Sequence, residues 1–199
     1  MNLEDIGQIV VFGLEDRTDR WVRCAEILRE EGIEKITHFT TTINYSDKHR
    51  QSSKDFLQCL RLKRGQNLVF FEDDFELTPG WKEVLRRSWG ATPSDFDLLY
   101  LGCNLTERPL KVTEDLYKVR GSWMFHGVIM SANFIEWVLR NYDVNRVWVF
   151  DEWCRTIAPQ RRFYMTYPMI CYQRPGYSDF AGQYVNYKKV QFNNQFYPQ

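Results

Sequence analysis

The chain has 199 residues, 44% hydrophobic and 26% charged, with 26 basic and 26 acidic side chains and a formal net charge of zero. That length fits one domain, 1–199, with a substantial core, and the even charge excludes a protein that holds nucleic acid mainly by bulk phosphate neutralisation. The five cysteines (24, 59, 103, 154, 171) contain no C-x-x-C pair, and no apolar run reaches 18 residues, which argues against a zinc framework, a disulfide scaffold or a membrane span and for a soluble, reducing, cytoplasmic setting.

Gln8–Gly13 reads as a first strand, followed by the polar loop Leu14–Arg20. Thr18 is the expected cap of a helix to about Glu31, with Trp21, Ala25 and Leu28 on one face and Gly32 as the stop. Lys35–Phe39 is a second strand, giving the β-α-β opening of a parallel sheet. Residues 40–52 lack a period and read as a loop. A helix over about 53–64 follows, with Phe56, Leu57 and Leu60 inward. Thr78-Pro79 predicts the next helix start, and that helix ends at Gly90. Asp97–Leu101 is a buried strand stopped by Gly102, and residues 103–115 are a loop. Two strands cover 116–119 and 123–130, and Ser131 caps a helix to Tyr142. A short helix opens at Asp151 and ends before Pro159. Residues 163–172 are extended, interrupted by Pro168, and the tail from Arg174 is aromatic and aperiodic. Cys24 and Cys59 fall inside helical patterns and are expected to pack as small apolar groups.

Between the second helix and Thr78 lies Asn67-Leu68-Val69-Phe70-Phe71-Glu72-Asp73-Asp74, a short apolar run ending in three carboxylates. About 0.4 such triplets are expected by chance in this composition, so position carries the interest. The run predicts a buried strand, and open α/β sheets place ligands at the carboxyl ends of their strands. Adjacent carboxylates repel unless water or a cation neutralises them. The alternative is a solvated acidic turn. A second apolar run, Val147–Phe150, also ends in acid, at Asp151-Glu152.

Several segments together resemble glycosyltransferase family 25, the lipopolysaccharide-biosynthesis type that includes collagen galactosyltransferases. They are Leu14–Arg20 after the first strand, the strand ending Glu72-Asp73-Asp74, Phe96–Gly102, His126–Ser131 leading into a helix, and Tyr172-Gln173 followed by Tyr177-Ser178-Asp179. Their order covers about residues 8–180. The resemblance implies a GT-A fold, Rossmann-like, with a mixed, mainly parallel sheet flanked by helices. The nucleotide-binding half would be about 1–102 and the acceptor-side half about 103–199. It also implies metal-dependent transfer of a sugar from a nucleotide sugar, UDP-linked in the leading reading, to a saccharide or other hydroxyl-bearing acceptor. Residues 40–52 lack the family pattern.

On that reading the site residues follow from chemistry. A Mn²⁺ or Mg²⁺ ion takes oxygen ligands and stabilises a departing diphosphate. Asp74 is the direct metal ligand. Glu72, which strand alternation would place on the same side, meets the ribose or a metal-bound water, and Asp73 faces nucleotide or sugar. His126 either completes the metal shell, contacts the diphosphate or donor sugar, or is a satisfied core histidine. Asp179 is a further candidate for metal or diphosphate. Arg17 and Arg20 pair with phosphate or stack on the base, or form salt bridges with Asp16 and Asp19. An inverting transfer needs a carboxylate base, for which Asp151 and Glu152 are both candidates, with simple helix capping as the alternative for Asp151. Two other readings stand beside this one. Transferases of this general kind in bacteriophages glycosylate hydroxymethylated DNA bases, which the pairs Arg86-Arg87, Arg161-Arg162 and Lys188-Lys189 would permit. A non-catalytic α/β binding module is the third.

Overall fold

A computed structural model describes residues 2–42 and 47–198. The chain begins with β1 (Gln8–Leu14), α1 (Thr18–Glu30), β2 (Ile36–Thr41), α2 (Lys48–Lys63), β3 (Leu68–Glu72), β4 (Phe75–Leu77) and α3 (Trp81–Ala91). It continues through β5 (Leu98–Leu105), β6 (Leu110–Lys111), β7 (Leu116–Lys118), β8 (Ser122–Met130), α4 (Ala132–Asn141) and α5 (Phe150–Ile157). The last elements are β9 (Phe163–Thr166), β10 (Cys171–Gln173), the hairpin β11 (Gly176–Ser178) and β12 (Gln183–Val185), and α6 (Tyr187–Phe192). The main sheet has eight strands in the order β2-β1-β3-β8-β5-β9-β7-β6. β1 is parallel to β2 and β3, and β5 to β9, while β8 is antiparallel to both β3 and β5. β7 is antiparallel to β9 and β6 to β7, so only β8 and β7 oppose the common direction. The expected mixed, mainly parallel α/β fold is what the chain forms.

The apolar runs are continuous because both faces of the sheet are covered. Val10, Phe12, Leu68, Phe70, Leu98 and Tyr100 pack with Phe56 and Leu60 of α2, Phe134 of α4 and Phe150 of α5. Their alternating neighbours Ile9, Val11, Val69, Phe71, Leu99 and Leu101 pack with Cys24 and Leu28 of α1 and Trp81 and Leu85 of α3. Burying one such side chain stabilises by roughly 1.5–3 kcal/mol, against about 1 kcal/mol for a helix cap. The two layers, rather than the helix ends, therefore hold the fold. The five cysteines are free and buried, as expected for Cys24 and Cys59. Among the described residues no helix is long and apolar enough to cross a membrane.

The structure departs from expectation at several places, among them the expected loop 103–115, which contains the short strand β6. α2 begins at Lys48, not Ser53; the polar 48–52 segment is the exposed start of a helix whose apolar face begins later. Thr40 and Thr41, also expected in the 40–52 loop, end β2, and residues 43–46 lie outside the described residues. α3 is entered through Gly80 at φ 78°, so Thr78 and Pro79 belong to the connection and do not cap. Thr18 is the first helical residue of α1, and its hydroxyl makes no capping bond. β5 runs through Gly102 to Leu105. Gly102 is there for close approach rather than as a stop, since a Cβ would lie 1.9 Å from the Cys171 carbonyl oxygen. Ser131 caps α4 as expected, its hydroxyl accepting the Phe134 N–H at 3.1 Å.

Candidate functional site

The chain reverses its path across the sheet at β1. β2 lies on one side of β1 and β3 on the other, and α1 and α2 cover opposite faces. A crevice opens at such a switch point, outside the carboxyl ends of the strands. Here it is a cavity of about 490 Å³, lined by Gly13 and Leu14 at the end of β1, Thr41 at the end of β2 and Glu72, Asp73 and Asp74 at the end of β3. Met124 at the start of β8, Asp151 at the start of α5, Gln173 and Asp179 also line it. Phe12, Phe56, Phe70, Phe125 and Phe150 give it an apolar wall.

Strand alternation does not extend through the acidic triplet. β3 ends at Glu72, and Asp73-Asp74 form a turn into β4. Asp73 folds back over β1. Its Oδ2 accepts the Leu14 N–H at 3.3 Å, and its Oδ1 receives Arg20 Nη1 at 3.1 Å. Asp74 accepts Gln173 Nε2 at 2.8 Å and stands 3.6 Å from Arg20 Nη1. Its other oxygen, Oδ1, is buried and has no partner among the described residues. Asp179 lies 2.7 Å from Arg17 Nη1 and 3.2 Å from Arg20 Nη2. Arg20 is thus a buried hub serving Asp73, Asp74 and Asp179, rather than a surface partner of Asp19. Arg17 pairs with both Asp19 and Asp179 and does not line the cavity.

The carboxylates hold protons more tightly than exposed ones. Burial, then Asp74, then Asp151 push Glu72 well above the usual range. Burial and the neighbouring Asp73 push Asp74 up to about 6, against the opposing pull of Gln173 and Arg20. Burial raises Asp73, with Arg20 opposing, and burial raises Asp151. Removing charged groups from water and setting them side by side has this effect, and such a cluster in a cleft is a candidate functional site.

The structure separates the two candidate bases. Asp151 faces the cavity, its Oδ2 accepting the Met124 N–H at 3.0 Å and its Oδ1 the Glu152 N–H at 2.8 Å. Met124 takes φ 73° to make that contact, a conformation costly for a side-chain-bearing residue. Glu152 turns away. It accepts the Trp123 indole N–H at 2.9 Å and pairs with Arg155, and hydrogen bonding to Arg155 holds its carboxyl below the usual range.

His126 is fully buried and is absent from the cavity wall. Its Nε2 lies 2.8 Å from where a Cβ at Gly102 would sit, and burial lowers its pKa to about 4. Its side chain belongs to the core rather than to the cavity wall, although the β3–β8 register, which ends at Phe71–Gly127, sets its backbone beside Glu72; the Trp123–Gly127 segment pointed at the site because Met124 and Phe125, not His126, line it. Sequence reasoning missed Gln173 as the Asp74 partner and Gly13 as the seat of Asp73. The aperiodic tail hid the hairpin β11–β12, whose tip carries Asp179 and Phe180 to the cavity. Arg86 and Arg87 pair with Glu83 and Asp115, and Arg161 and Arg162 with Asp97 and Asp95, so these pairs are largely neutralised.

Among the described residues no three His, Cys, Asp or Glu side chains are arranged to cage a metal by themselves. Magnesium-type sites commonly use one or two carboxylates and take the rest of their ligands from water and substrate phosphate. The free Asp74 Oδ1 beside Glu72 fits that arrangement.

No family model matches the chain, and no curated protein matches it. Solved structures of similar outline include A197 from STIV, at 13% identity and TM-score 0.45, covering 79% of this chain and 81% of that one. Another is a glycosyltransferase involved in glycosylation of the major capsid of PBCV-1, at 10% identity and TM-score 0.45, covering 79% of each. A third is mannose-1-phosphate geranyltransferase from Thermus thermophilus, at 12% identity and TM-score 0.44, covering 79% of this chain and 72% of that one. These are likenesses of outline, and what the chain does is read from its own residues.

Proposed function

We propose that this protein is a metal-dependent glycosyltransferase that moves a sugar from a nucleotide sugar, UDP-linked, to a hydroxyl of a saccharide-type acceptor. The observation that carries the reading is the convergence of Glu72, Asp73, Asp74 and Asp151 in one cavity at the β1/β3 switch point, with Asp74 Oδ1 left without a partner among the described residues. Asp74, with Glu72 beside it, would hold Mn²⁺ or Mg²⁺. When bound, that ion supplies charge stabilisation to the departing diphosphate.

The chain's own residues do the rest. Asp73 is committed to Arg20 and the Leu14 amide, so it fixes the turn and keeps Asp74 in place. Gln173 orients Asp74 through its Oδ2. Arg20 offsets the repulsion among the carboxylates. Phe12 and Phe56 make one wall of the cavity apolar. Asp151 is the base. Its two backbone hydrogen bonds fix its direction, and burial raises its proton affinity toward what deprotonation of an acceptor hydroxyl requires. Transfer from the face opposite the leaving diphosphate would invert the anomeric centre.

Calorimetry with UDP and Mn²⁺ tests the reading. Metal-dependent binding by wild type, lost in Asp74→Ala with the fold intact, is the expected result. Absence of any metal-dependent nucleotide binding by wild type would leave a binding module as the better description.

A further inference from the structure

Trp123 and Trp148 leave half or more of their surface to water, 50% and 55% exposed. Neither side chain lines the cavity, but each is the chain neighbour of a residue that does, Trp123 of Met124 and Trp148 of Val149. Trp123 is nevertheless held. Its indole N–H donates to Glu152 at 2.9 Å, and the Arg155 guanidinium stands 5.8 Å from the ring centroid. Glu152 and Arg155 pair with each other. The next residue, Met124, is locked in the left-handed region with its N–H on Asp151. The indole is therefore tied by two short routes to the carboxylate proposed as base, through Met124 and through Glu152.

A large aromatic face kept in water gains nothing for folding, and its polar edge is already satisfied. What remains is a flat, electron-rich surface in a fixed place. Such a face attracts the polarised C–H groups of a pyranose ring, and a pre-ordered platform avoids the entropy of ordering on binding. We infer that Trp123 is the stacking platform of an acceptor subsite, that its ligand is a pyranoside presenting its C–H face, and that Glu152 is the residue that positions the ring. This rests on the transferase reading only for the word acceptor; the subsite itself is testable without a donor.

The test follows the indole N–H resonance of Trp123 in ¹⁵N-labelled protein, assigned with Trp123→Phe. Methyl glycosides of galactose, glucose and mannose are the probes, with UDP and Mg²⁺ titrated separately. Saturable movement of the Trp123 signal by at least one glycoside is expected. Trp123→Ala should weaken that glycoside by roughly tenfold and Trp123→Phe by much less. Glu152→Gln, which keeps an acceptor oxygen for the indole, should retain binding that Glu152→Ala loses. If no glycoside moves the Trp123 signal while UDP–Mg²⁺ binds, the subsite is wrong and the donor site stands. If glycosides bind wild type and Trp123→Ala equally, the platform is elsewhere and the inference falls. Glycoside binding at Trp123 without UDP–Mg²⁺ binding would support the subsite and overturn the donor reading.

Discussion

The carboxylate of Asp73 occupies the space that a side chain at position 13 would fill: a Cβ on Gly13 would lie 2.3 Å from Asp73 Oδ2 and 2.6 Å from its Cβ. The last turn of β1 and the acidic turn after β3 are thus a single packed unit. Gly13→Ala should push Asp73 off the Leu14 amide and Arg20. Overpacking of this kind costs about 1–3 kcal/mol. Urea denaturation should show the lower midpoint, and nucleotide–metal affinity should fall with it. A Gly13→Ala protein with unchanged midpoint and affinity would mean that the turn accommodates the methyl group freely.

Arg20 is buried against three carboxylates, so its removal leaves Asp73 and Asp74 without their nearest counter-charge and Asp179 with Arg17 alone. Breaking a buried pair by deleting one partner typically costs 3–5 kcal/mol. Arg20→Met should destabilise by about that amount in chemical denaturation. Arg20→Lys should recover only part, because one ammonium does not reproduce a fork reaching Asp73 and Asp179 together.

Asp74, raised to about 6, is destabilising in the metal-free protein when ionised. The sign is fixed by proton uptake. Between about pH 4 and 6 the folded state binds the proton and the unfolded chain releases it, so the folded state gains as pH falls. Asp74→Asn should therefore be more stable than wild type at pH 7, by on the order of 1–3 kcal/mol, and the gap should close as pH falls from about 6 to about 4. His126, lowered to about 4 by burial, acts in the opposite sense and costs stability as pH falls below about 6.5, so the difference between the two proteins, not the wild-type profile, isolates Asp74. Thermal melts in chelator across that range make the measurement. A gap that widens toward acid would contradict the assignment.

Asp151→Asn keeps shape and one acceptor oxygen but cannot take a proton. Donor binding should stay within about threefold, and transfer should fall by roughly 10²–10⁴ if proton removal is its role. Glu152→Gln should leave the rate within about tenfold, since Glu152 faces Trp123 and Arg155. Product formation from a radiolabelled nucleotide sugar separates the two. Equal losses in both variants would return Glu152 to consideration as the base.

The helices and longer strands as far as α5 were legible because strands covered on both faces and amphipathic helices leave unmistakable periods; β4 and β6, of three and two residues, were not. Gln8–Leu14 and Leu68–Glu72 needed nothing else. The geometry of the acidic turn was not legible: alternation holds only while the chain stays extended, and Asp73-Asp74 leave the strand. Asp151 and Glu152 were indistinguishable in sequence because adjacent helical residues differ only in azimuth, and the packing of α5 on β8 decides which meets the cavity. The hairpin at 176–185 was hidden because strands of three residues carry no readable period.

Arg20 grips the end of β3 with one nitrogen and Asp179 of the β11–β12 tip with the other. The protonation of the acidic turn and the placement of that tip consequently share one counter-ion. By thermodynamic reciprocity, whatever factor a displaced tip imposes on proton affinity at the turn, proton binding imposes on the tip. A spectroscopic label at exposed Tyr184 on β12 would therefore report events at Asp74 without touching the cavity.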